Sequence, residues 1–281
     1  MRTVLKVAAQ MAVSVNRFRD PIRRMAASCG RMLMPLLLGS LLITTAAPAY
    51  AQGAVLTPQQ VVEYALTLEK LEADFYSRAV DAAANGGLAT APQVAKDAIV
   101  SYGQDEAQHV TDLSAVLTSL GGDPDSITIP DNPNYNAILN RDPFANPTDF
   151  LLAGQYVEDL GVAAYKGQVQ NLLAAGEAAK PVLAAALAIH SVEARHAAGV
   201  RFLRETLLDS NVQPWIKNQS EVIYQENRGD SPIEFSSEAF DGYATQDEVL
   251  ALVGPILTTT SQQTTDSSNS TAPVPPVRAL W

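Results

Sequence analysis

Glu106-Ala107-Gln108-His109 and Glu193-Ala194-Arg195-His196 are two copies of one pattern, a glutamate three residues before a histidine. The chain holds only one other histidine, His190. Residues three apart on a helix share a face, so each pair aims a carboxylate and an imidazole at one point. Two such pairs on two helices make half of a two-metal site. With glutamate at its ordinary frequency, chance places it three residues before two of three histidines in roughly one sequence in a hundred.

The flanking residues predict four long helices, rich in the helix formers Ala, Leu, Glu and Gln. The first opens at Thr57-Pro58-Gln59-Gln60, a capping Thr with Pro at the first helical position, and runs through Val61, Leu66, Leu68 and Phe75 to about Ala79. Asn85-Gly86-Gly87 breaks it, and the second begins near Pro92 and stops at Gly121-Gly122. Pro147-Thr148-Asp149 starts the third, which reaches Ala175-Gly176, and the fourth spans Lys180-Pro181 to about Asp209. Two connections are short, which makes antiparallel hairpins of helices one and two and of helices three and four. The central connection, residues 123–146, is rich in Pro, Asp and Asn. A helix of about 27 residues is roughly 40 Å long, and an extended segment of about 25 residues can travel that length. The expected fold is all-α, an antiparallel four-helix bundle with one long crossover.

The two halves repeat. Leu68-Glu69 with Tyr76 is echoed by Val157-Glu158 with Tyr165, so each half supplies one Glu helix and one Glu-x-x-His helix. Two close metal ions need several anionic oxygens for charge balance and neutral nitrogens to complete coordination, and imidazole suits iron and manganese alike. One Glu from each of two helices and a Glu-x-x-His from each of the others fill that plan. Here these are Glu69, Glu158, Glu106 with His109, and Glu193 with His196. Glu106 and Glu193 are the expected bridging pair, with Glu69 and Glu158 terminal. The expected cofactors are two Fe ions or two Mn ions, and the expected small-molecule partners are metal ions with O2 or peroxide.

Tyr102-Gly103-Gln104-Asp105-Glu106-Ala107-Gln108-His109, Val192-Glu193-Ala194-Arg195-His196 and the segment Leu68-Glu69-Lys70-Leu71-Glu72-Ala73-Asp74-Phe75-Tyr76 resemble the ferritin-like superfamily. Within it they are most similar to the exported group that includes plant desiccation-related proteins. The resemblance covers about residues 55–210. It implies a ferritin-like bundle with a dinuclear iron or manganese site, and a tyrosine seven residues after the first-helix glutamate. Glu69 with Tyr76 and Glu158 with Tyr165 match that spacing. Glu72 shares a face with Glu69 and is an alternative ligand; Glu69 is preferred because Tyr76 fits it. Tyr76 and Tyr165 are the candidate catalytic residues beyond the ligands, and with Tyr102 and Tyr156 they serve either ligand hydrogen bonding and electron transfer or core packing. His190 reads as a partly exposed helical histidine, with support of a ligand as the alternative. Asp105 and Asp159 adjoin ligands and either orient an imidazole or face solvent.

The first 51 residues differ from the rest. They carry Arg2, Lys6, Arg17, Arg19, Arg23, Arg24 and Arg31 against Asp20 alone, then an apolar stretch at 32–47 and Ala49-Tyr50-Ala51. A basic segment, a short apolar core and a small-x-small site describe a secretory signal peptide cleaved after Ala51, with a transit peptide or an uncleaved anchor as the alternatives. Pro35 and Gly39 interrupt the apolar stretch, so no stable membrane insertion is expected after cleavage. The expected location is periplasmic or extracellular. Cleavage removes seven of 19 bases and one of 30 acids, leaving 12 and 29 and a formal net charge of −17. So acidic a chain is not expected to bind nucleic acid or anionic membrane. Cys29 and all five methionines also lie in the removed segment, and a sulfur-free mature chain suits a site that handles oxygen or peroxide.

The expected domains are a signal peptide at 1–51, the bundle at 52–210, an extension packing on it at 211–257, and a disordered Ser/Thr/Gln/Pro-rich tail at 258–281. The extension holds Trp215, Ile223, Tyr224, Phe235, Phe240 and Tyr243. A homo-oligomer is compatible with this reading. The expected function is Fe(II) oxidation or consumption of O2 or peroxide in stress protection. The alternatives are a manganese catalase-like enzyme, a non-catalytic desiccation- or stress-related binding protein with a structural metal, and iron storage.

Overall fold

The computed structural model describes residues 55–217 and 241–258. Six α-helices occur there: α1 Pro58–Asn85, α2 Gln93–Ser119, the short α3 Asn136–Leu139, α4 Pro147–Ala174, α5 Lys180–Leu208 and α6 Gln246–Val253. No strand occurs among the described residues. The expected signal peptide, most of the expected tail, and residues 218–240 of the expected extension lie outside them. No described helix is long and apolar enough to cross a membrane.

Local chemistry explains the helix ends. At the start of α1 the Thr57 side chain accepts from the Gln60 N–H, the Gln60 side chain accepts from the Thr57 N–H, and Pro58 takes the first position. Asn146 caps α4 by accepting from the Asp149 N–H at 2.9 Å. Gly121 and Gly176 follow α2 and α4 at φ +85° and +77°, where a side chain would be strained. The first helix continues past the expected end near Ala79 as far as Asn85, because alanines occupy positions 82–84 and nothing breaks the helix before Gly86.

Two apolar clusters hold the bundle. In one, Val62 and Leu66 from the start of α1 pack with Leu113 and Leu117 from the end of α2. Tyr165 and Leu172 from the end of α4 join them, with Val182 and Ile189 from the start of α5. Every neighbouring pair of long helices is therefore antiparallel. The other cluster, at the opposite end, includes Phe75, Ile99, Phe150 and Val200. The polar residues treated below lie between the two.

The long crossover climbs the outer side of α1. Lys70 Nζ donates to the carbonyls of Pro124 at 3.0 Å and Ile127 at 2.5 Å. Farther along, Arg78 donates to the Asp131 carbonyl at 2.8 Å, and the Tyr135 hydroxyl meets the Leu71 carbonyl and Asp74, each at 2.8 Å. The rings of Tyr135, Phe144 and Phe150 then surround Phe75 at centroid distances of 5.4, 5.2 and 5.4 Å. This path carries the chain from the end of α2 to the start of α4 at the other end of the bundle.

Residues 241–258 return to the bundle. The Ala244 N–H donates to the Ala163 carbonyl at 3.0 Å, Asn134 N–H donates to the Ile256 carbonyl at 2.7 Å, and Val249 and Val253 of α6 are buried. The segment crosses α4 at Gly167, where an added Cβ would fall 1.8 Å from the Ala244 carbonyl oxygen. In a free helix Gly→Ala is worth about 1 kcal/mol of stability. In Gly167→Ala the backbone clash should outweigh that gain, for a net loss of about 1–2 kcal/mol in chemical denaturation. Limited proteolysis should cut the C-terminal segment faster while the helical circular dichroism stays constant; an unchanged midpoint and digestion pattern would show that this contact does not hold the segment.

Candidate metal centre

The four long helices bring six predicted ligands together in the middle of the bundle. One donor atom from each of Glu69, Glu106, His109 and Glu193 lies within 4.8 Å of the others, and Glu106, Glu158, Glu193 and His196 form a second such quartet. Glu106 and Glu193 belong to both, while Glu69 with His109 and Glu158 with His196 take one side each. His109 Nδ1 lies 3.2 Å from Glu69, 2.9 Å from Glu106 and 3.3 Å from Glu193. His196 Nδ1 lies 2.8 Å from Glu106 and 3.5 Å from Glu158. All six side chains are buried. Glu72 belongs to neither quartet; its carboxyl sits beside that of Glu193, both of them close to Gly161.

The donors are compatible with bound metal ions. Both Glu193 oxygens, Glu106 Oε1, Glu158 Oε2 and His196 Nδ1 are fully buried and have no partner with hydrogen-bond geometry, even where a neighbour is close. Each such atom costs about 1–3 kcal/mol, and a native interior holds only a few of them. Five at one point, all oxygen or imidazole nitrogen, describe a place for cations. Iron and manganese accept this set.

The electrostatics say the same. Burial raises the Glu69 carboxyl to about 7, against the pull of His109. Burial, with the charge of neighbouring carboxylates added, holds Glu72 and Glu193 well above the usual carboxylate range, and burial raises Glu158. Glu106 is the exception: burial opposes its charge, but His109 and His196 together outweigh that and lower it to about 2. Burial disfavours both imidazolium ions, yet the surrounding carboxylates raise His109 to about 12 and His196 to about 11. Without metal, then, the carboxyls other than Glu106 and both imidazoles are pushed toward their protonated forms.

The supporting residues divide in ways the sequence left open. The tyrosines cross between hairpins: the Tyr76 hydroxyl of α1 donates to Glu158 of α4, and the Tyr165 hydroxyl of α4 donates to Glu69 of α1. Burial holds both phenols well above their usual range, so they remain donors. Of the two aspartates, Asp105 accepts from His196 Nε2 at 3.1 Å and orients that imidazole, as partners of ligand histidines commonly do. Asp159 instead pairs with Arg201 at 3.1 and 2.5 Å, both side chains buried. Tyr102 stacks on His196 at 4.2 Å, whereas Tyr156 lines an apolar cavity together with Glu72 and Gly161. His190 is half-buried and donates from Nδ1 to the Val162 carbonyl at 3.1 Å, apart from the centre.

Three contributors escaped the sequence reading. Arg201 gave no signal except its position five residues after His196. Gly161 and Gly199 make room: a Cβ at 161 would lie 2.8 Å from Glu193 Oε2, and one at 199 would lie 1.9 Å from the Tyr102 hydroxyl. A glycine inside a helix costs about 1 kcal/mol against Ala; at 161 and 199, three residues after Glu158 and His196, that cost was the available clue.

A family model described as a ferritin-like domain matches residues 57–206. No curated protein and no solved structure gives a significant match.

Protonation sets an expected pH dependence. Glu69 has a raised pKa in the folded chain, so its contribution to metal-free stability is complete below about 4.5 and is lost as pH rises through about 7. The raised imidazoles act in the same direction above 6.5. Metal binding must expel these protons and strengthens as pH rises. Thermal unfolding with and without chelator should therefore show the metal-free midpoint falling between about pH 5 and about pH 8, with the gap to the metal-loaded protein widening. A gap that narrows as pH rises would contradict this protonation scheme.

Proposed function

Since this chain belongs to the ferritin-like family, we propose that its bundle holds two Fe or Mn ions and oxidises Fe(II) or consumes O2 or peroxide, as an exported stress-protection protein. The observation that carries this reading is the pair of buried donor quartets sharing Glu106 and Glu193. Export is supported by the basic and apolar N-terminal segment, and the sulfur-free chain after it suits oxidant handling.

When bound, the metal pair would supply one-electron changes and polarise a bound oxidant. The chain's own part is positional. Glu106 and Glu193, shared by both donor quartets, would hold both ions, Glu69 with His109 would complete one site, and Glu158 with His196 would complete the other. Tyr165 and Tyr76 each donate to one oxygen of Glu69 and Glu158, which turns the other oxygen toward the centre. Asp105 takes the Nε2 proton of His196 as a hydrogen bond and leaves Nδ1 facing inward. The apolar clusters at either end keep bulk water out, which strengthens each of these interactions.

Protein purified without chelators should contain roughly two Fe or Mn ions per chain. Glu106→Ala and Glu193→Ala should each remove most of both ions, because each residue serves both positions. Asp105→Ala should weaken metal binding by about tenfold through loss of support behind His196. Near-zero metal in the parent protein, or metal unaffected by both glutamate changes, would overturn the reading. Fe(II) oxidation and peroxide consumption are then measured on the loaded protein. Peroxide disproportionation with Mn would select the manganese catalase-like variant, and full metal without either activity would make the metal structural.

A further inference from the structure

Against the candidate metal centre lies a partly open apolar cavity of about 130 Å³, lined by α1, α3, α4 and α6. Leu71 and Phe75, Ile138, Leu160 and Val253 supply wall from these four helices, and Glu72 supplies the acid. Glu72 is only 8 % exposed, and its carboxyl has no hydrogen-bond partner among the described residues. An unpartnered acid in an apolar pocket is costly unless something arrives to pair with it.

The internal repeat shows that the arrangement is specific to one half. Glu69 and Glu158 are equivalent, and three residues later the first half has Glu72 where the second has Gly161. Gly161 also lines the cavity, and a Cβ there would lie 3.2 Å from Glu72 Oε1. The glycine on α4 clears the space that the α1 carboxyl occupies. Leu or Ala at 72 would have filled a purely structural bundle more cheaply.

Size and lining describe the occupant. A lone water needs two to four polar partners, and here Glu72 is the main one on offer. The Tyr135 hydroxyl is already engaged with Leu71 and Asp74. An engineered apolar cavity of about 150 Å³ takes benzene, so this volume suits a single small ring. Phe75 and Tyr156 give that ring aromatic neighbours. A carboxylate ligand would bring a bare charge into an apolar cavity that offers no cation to pair with it, whereas a hydroxyl would donate to Glu72. Among the lining residues Leu252 is the exposed one and marks the rim, on α6.

We propose that this cavity is a binding site for a small neutral phenol-like molecule, its ring held between α1 and α4 and its hydroxyl donated to Glu72. The site stands whether or not the neighbouring centre is redox-active.

The test titrates phenol and benzene into the full-length protein, as purified and after chelation, by calorimetry or ligand-observed NMR. Phenol should bind both forms, and benzene should bind several-fold more weakly, because it leaves Glu72 unpaired. Ala137→Phe and Leu252→Trp, which fill the cavity and its rim, should each weaken phenol by at least about tenfold. In Glu72→Leu benzene should still bind and the preference for phenol should vanish. The proposal is overturned if neither form binds phenol, if both filling variants bind it undiminished with helical circular dichroism intact, or if Glu72→Leu keeps the preference. Should Ala137→Phe fail to fold, Leu252→Trp decides. Full metal content without phenol binding would sink this site and leave the metal reading standing; phenol binding by a protein that never holds metal would do the reverse.

Discussion

Five glutamates in the middle of one helical bundle must be neutralised, and the remaining structure is arranged around that requirement. Glu69, Glu72, Glu106, Glu158 and Glu193 are all buried. Two unit charges 4 Å apart interact by about 4 kcal/mol at an effective dielectric of 20, so several bare carboxylates would repel one another by more than a domain's usual net stability of about 5–15 kcal/mol. Protons on the carboxyls and on His109 and His196 relieve the repulsion in the metal-free chain. Cations would do so more completely, because they would also satisfy the oxygens and the nitrogen that no hydrogen bond reaches. The apolar clusters on either side supply the stability against which this polar layer is held.

The layer also fastens the hairpins to each other. Short connections hold α1 to α2 and α4 to α5. Between the hairpins, the tyrosine of one donates to the terminal glutamate of the other, and Glu106 and Glu193 face a common point from opposite hairpins. A metal pair would therefore bind at the seam between the repeats, where its binding free energy becomes stability of the assembled bundle. The departures from symmetry are as informative as the symmetry. Asp105 supports His196 while the residue at the equivalent place in the second half is Val192, and Glu72 faces a glycine. The two donor quartets thus have similar members in different surroundings, with Glu72 and the apolar cavity beside Gly161.

Much of this was legible in the chain itself, for a physical reason. Helix ends depend on residues within one turn: the Thr57 and Asn146 caps, the prolines at first positions, and the glycines after α2 and α4. The Glu-x-x-His pairs depend on helical periodicity alone, and hairpin pairing follows from short connections. Local rules of this kind decided the all-α class, the four-helix plan and the six residues that meet in the two quartets. The continuation of α1 from Ala79 to Asn85 carries no apolar signal, because the buried face ends at Ala79 while no breaker comes before Gly86.

What the tertiary structure alone decided was everything that depends on how far each helix is rotated and on which distant residue then faces it. The same spacing that placed Tyr76 with Glu69 on one helix says nothing of its bond to Glu158 on another. Asp105 and Asp159 have equivalent places beside ligands in sequence; rotation turns one toward His196 and the other toward Arg201. The crossover's course along α1, the return of α6 across Gly167 and the cavity beside Glu72 all arise from contacts between segments far apart in the chain. Periodicity places a residue on a face of its own helix, and only packing supplies the partner opposite.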